Sequence, residues 1–201
     1  MKAPARDARA PSQARRGARP PRPPTPARLE RSALHHLGRF AATRTELTRV
    51  LNRRTMRAIR AGLIDREEAA RMVEATVAKV AAAGYLDDAA VARAKAGSMR
   101  RAGRSKRAIQ QKLGTKGIAR DAAEAALAAA DADDDNAELR AAATLACRRK
   151  LGPYRTGKRD EATMKRDLAA LARGGFSYAV ARTVAAACSP ETLAALLGDL
   201  D

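Results

Sequence analysis

Ser105-Lys106-Arg107-Ala108-Ile109-Gln110-Gln111-Lys112-Leu113-Gly114-Thr115-Lys116-Gly117-Ile118 and Met164-Lys165-Arg166-Asp167-Leu168-Ala169-Ala170-Leu171-Ala172-Arg173-Gly174-Gly175-Phe176 are one phrase written twice. Setting Gly117-Ile118 over Gly175-Phe176 brings Leu113 onto Leu171. Each copy reads as a basic amphipathic helix that stops at a glycine, followed by one apolar residue and a new helix start. A fainter copy begins at Thr43, with Leu47 and Leu51 in the places of Ile109 and Leu113. A helical unit repeated along a chain buries its apolar face against its neighbours. The phrase therefore predicts an all-α chain, an elongated and curved array of tandem units.

Working outward, start signals recur ahead of each apolar run. Thr43-x-x-Glu46, Asp65-x-x-Glu68 and Asp121-x-x-Glu124 read as capping boxes, in which two side chains satisfy orphaned backbone N–H groups. Ser105, Ser177 and Ser189 read as simple N-caps, the last followed by Pro190 at the first helical position. Gly62, Gly84, Gly103, Gly117, Gly152 and Gly175 supply the stops. The spacing predicts helices over 29–42, 44–60, 66–83, 88–101, 106–116, 119–130, 134–151, 160–174, 178–188 and 190–197. No stretch alternates as a half-buried strand does. Grouped by the repeated phrase, these helices form three tandem three-helix repeats, 29–84, 85–131 and 132–201. Residues 1–28 hold eight Lys/Arg, one Asp and seven of the nine prolines, and are predicted to be a disordered basic tail.

The 201 residues carry 40 Lys+Arg against 22 Asp+Glu, a net charge of +18. Such a balance points to a polyanionic partner. The charge is also sorted along the chain. Ala89 to Arg120 contains ten bases and no acid; Asp121 to Leu139 contains seven acids and no base. Arg140 to Arg159 then contains seven bases and no acid. An ordinary solvated helix face intersperses its signs. Two positive patches flanking an acidic seam suggest a binding surface, with the seam tying neighbouring units together. Lys106 and Arg107 stand in a helix's first turn, against its dipole, beside Arg100, Arg101 and Arg104. A cationic first turn is the arrangement of an anion site.

Catalytic and metal motifs appear only as near misses. Gly152-Pro153-Tyr154-Arg155-Thr156-Gly157-Lys158 approaches a P-loop, but Arg159 stands where Ser or Thr must hold magnesium and Pro153 removes an N–H. Asp131-x-Asp133-x-Asp135 opens like an EF-hand loop, yet Asn136 replaces the required Gly and Ala142 the bidentate Glu. His35, His36, Cys147 and Cys188 make no zinc spacing. Two cysteines suit a reduced, cytoplasmic protein better than a disulfide scaffold. Asp87 and Asp88 are read as helix caps. No cofactor and no metal are expected, and no apolar run is long enough to cross a membrane. The five aromatics, Phe40, Tyr85, Tyr154, Phe176 and Tyr178, sit near helix junctions and read as wedges between helices. Nucleic acid would then be held by its backbone.

Three strings in order carry a family likeness: Gly84-Tyr85-Leu86-Asp87-Asp88, Arg101-Ala102-Gly103-Arg104-Ser105, and Leu113-x-x-Lys116-Gly117-Ile118. Arg148-Arg149-Lys150-Leu151-Gly152-Pro153-Tyr154-Arg155 and Leu171-Ala172-Arg173-Gly174-Gly175-Phe176-Ser177 continue it. With these the chain resembles the RecX family of bacterial recombination regulators, over about residues 80 to 186 and in outline over 29 to 60. Val91-Ala92 departs from the family's common Phe-Ala, and the proline-rich tail lies outside the pattern. The resemblance implies three three-helix repeats and a non-enzymatic modulator. It implies lodging in the groove of the RecA–DNA filament and restraint of its ATPase, strand exchange and coprotease activity.

The expected contact residues are Arg100, Arg101, Arg104, Lys106, Arg107, Lys112 and Lys116 in the second unit. In the third they are Arg148, Arg149, Lys150, Arg155, Lys158 and Arg159. The expected partners are the RecA filament and, non-specifically, the DNA backbone, with the protein a cytoplasmic monomer. The alternative is a nucleoid-type protein that binds DNA phosphates alone. An enzyme built on Asp87 and Asp88 has little support in the residues.

Overall fold

The computed structural model describes residues 22–198. The helices within that span are α1 (Pro26–Leu37), α2 (Arg44–Arg60), α3 (Arg66–Ala82), α4 (Asp88–Arg101) and α5 (Lys106–Gly114). They continue as α6 (Arg120–Ala130), α7 (Ala137–Arg149), α8 (Glu161–Arg173), α9 (Tyr178–Ala186) and α10 (Pro190–Leu197). A single 3-10 turn, Gly152–Tyr154, follows α7, and no strand occurs among the described residues. The fold is an elongated, all-helical array of helix triples.

The caps account for most boundaries. Thr43 accepts from the Glu46 N–H and Glu46 accepts from the Thr43 N–H, a complete capping box. Asp65, Ser105, Ser177 and Ser189 each accept from the N–H three residues on. The Asp121 box does not form, because α6 starts at Arg120 behind Ala119 and Asp121 falls inside the first turn. The first helix also starts earlier than expected. Thr25 accepts from the Arg28 N–H and Pro26 opens α1, so 22–28 is ordered chain; the rest of the expected tail lies outside the described residues.

The glycine stops share one geometry. Gly117 and Gly175 have φ of 79° and 91°, a left-handed conformation that suits glycine. The following N–H then reaches back, Ile118 to the Leu113 carbonyl and Phe176 to the Leu171 carbonyl. Leu63 to Ala58 repeats this at the end of α2. These are Schellman closures.

Buried side chains gather in three clusters. One holds Leu29, Leu47, Leu51, Val73, Val77 and Val80; another Ala92, Ala96, Ile109, Leu113, Ile118 and Leu127; the last Leu145, Leu171, Phe176, Val184 and Leu193. Leu86, which follows the Gly84 stop, packs into the first cluster rather than the second. Leu47, Leu51, Ile109, Leu113 and Leu171 are all fully buried. Each full burial contributes about 1.5–3 kcal/mol. Many other core positions are alanine, which lets helices approach closely but adds little area per residue.

Neighbouring triples meet through a joint that occurs twice. Thr43, capping α2, donates its hydroxyl to the Lys116 carbonyl at 2.6 Å; Ser105, capping α5, donates to the Gly174 carbonyl at 2.7 Å. The acceptor in each case immediately precedes the left-handed glycine of the next triple. An acid from the next triple completes the joint by taking the first N–H of the capped helix. Asp88 accepts from the Arg44 N–H at 3.0 Å, and Glu138 from the Lys106 N–H at 3.0 Å. The glycines are required sterically as well: a Cβ on Gly117 would fall 1.9 Å from the Thr45 hydroxyl oxygen, and one on Gly175 2.5 Å from that of Ser105. At the corresponding cap of α8 stands Asp160.

A candidate basic interface

The expected contact residues divide into those used inside the fold and those facing solvent. Arg100 is only 9% exposed. Its guanidinium is bidentate to Asp131, donates to Glu138, and reaches the Arg104 carbonyl at 3.1 Å. Burial works against its charge, but the bonds from Asp131 and Glu138 outweigh that and raise its pKa. Lys116 pairs with Glu46 across the first joint. Arg155 pairs with Asp167, a nearly sealed carboxylate that also accepts from the Gly152 N–H at 2.8 Å. Arg159 donates to the Ala185, Ala187 and Cys188 carbonyls at the end of α9. These four cations have their donors turned inward and serve to hold elements together.

Arg101, Arg104, Lys106, Arg107 and Lys112 are exposed, as are Arg148, Arg149, Lys150 and Lys158. Arg148 ties back to the Ala102 carbonyl at 2.8 Å, fixing the end of α7 against the turn after α4. Lys150 has φ of 54° at the end of α7, a left-handed C-cap that is uncommon for a lysine. The groove beside the second joint is lined by Lys106, Arg107, Gln110, Glu138, Gly175 and Ser177 and holds about 600 Å³.

The first turn of α5 differs from its sequence reading in one decisive respect. Its anion is internal, since the Glu138 carboxylate already sits on the Lys106 N–H and beside Arg100. The acidic seam reaches across units through Glu138, which holds Arg100; Asp131 also holds Arg100, and Asp134 holds Arg140, each within its own unit. Of the carboxylates in the EF-hand look-alike, Asp131 is thereby taken up by Arg100, while Asp133 and Asp135 are exposed. No cluster of metal-ligating side chains occurs among the described residues.

Three aromatics are not wedges. Phe40 is 57% exposed, Tyr85 59% and Tyr178 69%, while Phe176 is buried and Tyr154 half-buried. Asp87 caps α4 through the Ala90 N–H at 2.8 Å, and Asp88 belongs to the first joint. Both carboxylates of the would-be pair are therefore engaged in helix ends. Sequence reading also passed over α2, whose exposed arginines (Arg49, Arg53 and Arg60) recur at helical spacing. That periodicity was the available signal.

Such a molecule is a helical-repeat protein with ionic joints and cationic outer faces, and the residues between its caps place it more closely. Residues 87–127 match the family model of the RecX second three-helix domain. The regulatory protein RecX of Myxococcus xanthus is 47% identical over 171 residues, which cover 84% of this chain and 90% of that one. The regulatory protein RecX of Agrobacterium fabrum is 40% identical over 106 residues, 53% of this chain and 54% of that one. A crystal structure of RecX from Lactobacillus salivarius superposes with a TM-score of 0.58 at 21% identity, over 79% of this chain and 93% of the other. A second crystal structure of a regulatory protein RecX gives 0.60 at 21% identity, over 79% and 70%. The chain belongs to the RecX family of regulatory proteins. No described helix is long and apolar enough to cross a membrane.

Proposed function

We propose that the protein is a non-enzymatic, cytoplasmic regulator that binds RecA–DNA filaments as a monomer and restrains RecA's ATPase, strand exchange and coprotease activity. The observation that carries this reading is the exposed basic set Arg101, Arg104, Lys106, Arg107 and Lys112, held on a joint whose own charges are internally neutralised. Because Arg100 and Glu138 satisfy each other, the outward cations are free to meet an external polyanion. An array of stacked triples presents such cations along a path rather than at a point, which suits a filament of protein and nucleic-acid backbone. The 47%-identical relative named as a regulatory protein supports the same class.

The test is RecA-dependent ATP hydrolysis on single-stranded DNA, titrated with the full chain. Hydrolysis should fall in a saturable manner, and an Arg104→Glu/Arg107→Glu variant should need more than tenfold more protein for the same effect. Unchanged hydrolysis at saturating protein overturns the reading. The net charge of +18 favours one competitor, a DNA-binding protein acting through phosphates alone. It predicts undiminished, steeply salt-dependent binding to bare duplex and no effect on RecA beyond competition for DNA.

A further inference from the structure

We infer that α2 carries a second nucleic-acid contact, an arginine stripe that tracks one phosphate backbone and extends the basic surface into the first triple. This rests on the reading that DNA is among the protein's partners. It assigns a role to residues outside the set discussed above.

All six bases of α2 are arginine, and its only acid, Glu46, is paired with Lys116. From Leu47 to Ile64 there is no acid at all. At 100° per residue, Arg49, Arg53, Arg57 and Arg60 fall within about 80° of one another around the helix. The buried residues Leu47, Leu51, Thr55 and Ala58 centre on the opposite side. The stripe is therefore the solvent face of a helix whose other face is locked into the core. Arg49 donates to the Thr115 carbonyl at 2.8 Å, so the stripe begins at the first joint, at the turn after α5 that carries Lys116. The side chains of Arg53 and Arg60 are exposed and have no partner among the described residues.

Two features favour phosphate over an acidic protein surface. The large exposed apolar side chains of the chain lie off α2, so the stripe has no apolar centre of the kind protein interfaces place at their core. Its length also matches a regular polyanion: the eleven residue steps from Arg49 to Arg60 rise about 16 Å, the axial span of about five nucleotides of one strand. Guanidinium groups suit this partner because each can grip a phosphate with two parallel N–H donors.

The experiment uses the full chain and a fluorescent duplex without RecA, with affinity measured across salt concentrations for wild type and Arg53→Ala/Arg60→Ala. Both positions are exposed and alanine favours helix, so helical circular dichroism should be unchanged. Each lost phosphate contact should lower the slope of log affinity against log salt by about 0.9, or about fivefold in affinity at 0.15 M salt relative to 1 M. Loss of about two units of slope supports the stripe. An unchanged slope in the variant, with a steep one in wild type, overturns the stripe and leaves DNA binding by the second triple intact. Wild type with no salt-dependent binding overturns both. Unchanged binding to bare DNA, with weakened binding to RecA filaments, would make the stripe a protein contact and overturn the assignment.

Discussion

Arg100 is gripped by three groups, Asp131 at the C-terminal end of α6, Glu138 on α7 and the Arg104 carbonyl. Replacing it by Ala would strand two carboxylates beside each other in a half-closed joint. Breaking a buried pair costs about 3–5 kcal/mol; with Asp131 and Glu138 still 25% and 32% exposed, water offsets part of this. The expected loss for Arg100→Ala is about 2–3 kcal/mol, measured by urea denaturation. Lys106 gives a prediction of opposite sign to the dipole rule. An acid in a helix's first turn ordinarily stabilises by about 0.3–1 kcal/mol. Here Glu138 already occupies that turn, so Lys106→Glu should lower the thermal midpoint instead of raising it. A raised midpoint would show that Glu138 is not the anion that caps α5.

The elements themselves are largely legible in the sequence. Ser105, Ser177 and Ser189 announce their helices because a hydroxyl can accept from an orphaned N–H wherever the chain turns into a helix. Leu113 and Leu171 align because the same Schellman closure follows each. Their replacement by Ala should cost about 2–5 kcal/mol apiece, read from denaturation midpoints. What the residues did not disclose is which cations the fold consumes. Arg100 and Arg101 are adjacent and chemically identical, yet one is buried in carboxylates and the other is solvated, a difference set by acids 30 or more positions away. The exposed aromatics failed for the same reason: junctions are legible locally, but the partner that would cover Tyr85 or Tyr178 is a tertiary matter. Conversely, Gly117 looked like a mere stop and proved also to be the seat of a joint. Gly117→Ala should destabilise more than Gly62→Ala, since both have positive φ but only Gly117 faces Thr45. Equal losses in matched melts would remove the steric part of that argument.

At the scale of the molecule, stability is distributed over joints that are partly ionic. Burial raises the Glu46 pKa, but the bonds from Lys116 and from the Thr43 N–H prevail and hold it below its ordinary 4.5. A carboxylate with a lowered folded value contributes stability that is complete above about 4.5 and fades as pH falls through that lowered value. Wild type should therefore lose stability more steeply on acidification below that point than Glu46→Gln, the variant being the less stable at neutral pH. Parallel acid-melting curves would show that the pair contributes nothing. Removal of residues 1–21, which keeps Thr25 and the start of α1, should leave the cooperative melt intact while flattening the salt dependence of DNA binding.

The cap of α8 has a consequence for assembly. Thr43 and Ser105 can join onto a following triple because a hydroxyl gives one proton outward while accepting another from its own helix. Asp160 accepts from the Thr163 N–H and is held below the ordinary carboxylate range by that bond, so it has no proton to give. Where a further carbonyl would have to dock, it would meet a negative oxygen. A protein made of self-complementary modules risks stacking copy on copy into fibres without limit. Exchanging a donor for an acceptor at one atom blunts that risk, and it leaves the two ends of the array chemically unlike, so that the molecule has a direction along any polymer it lies against.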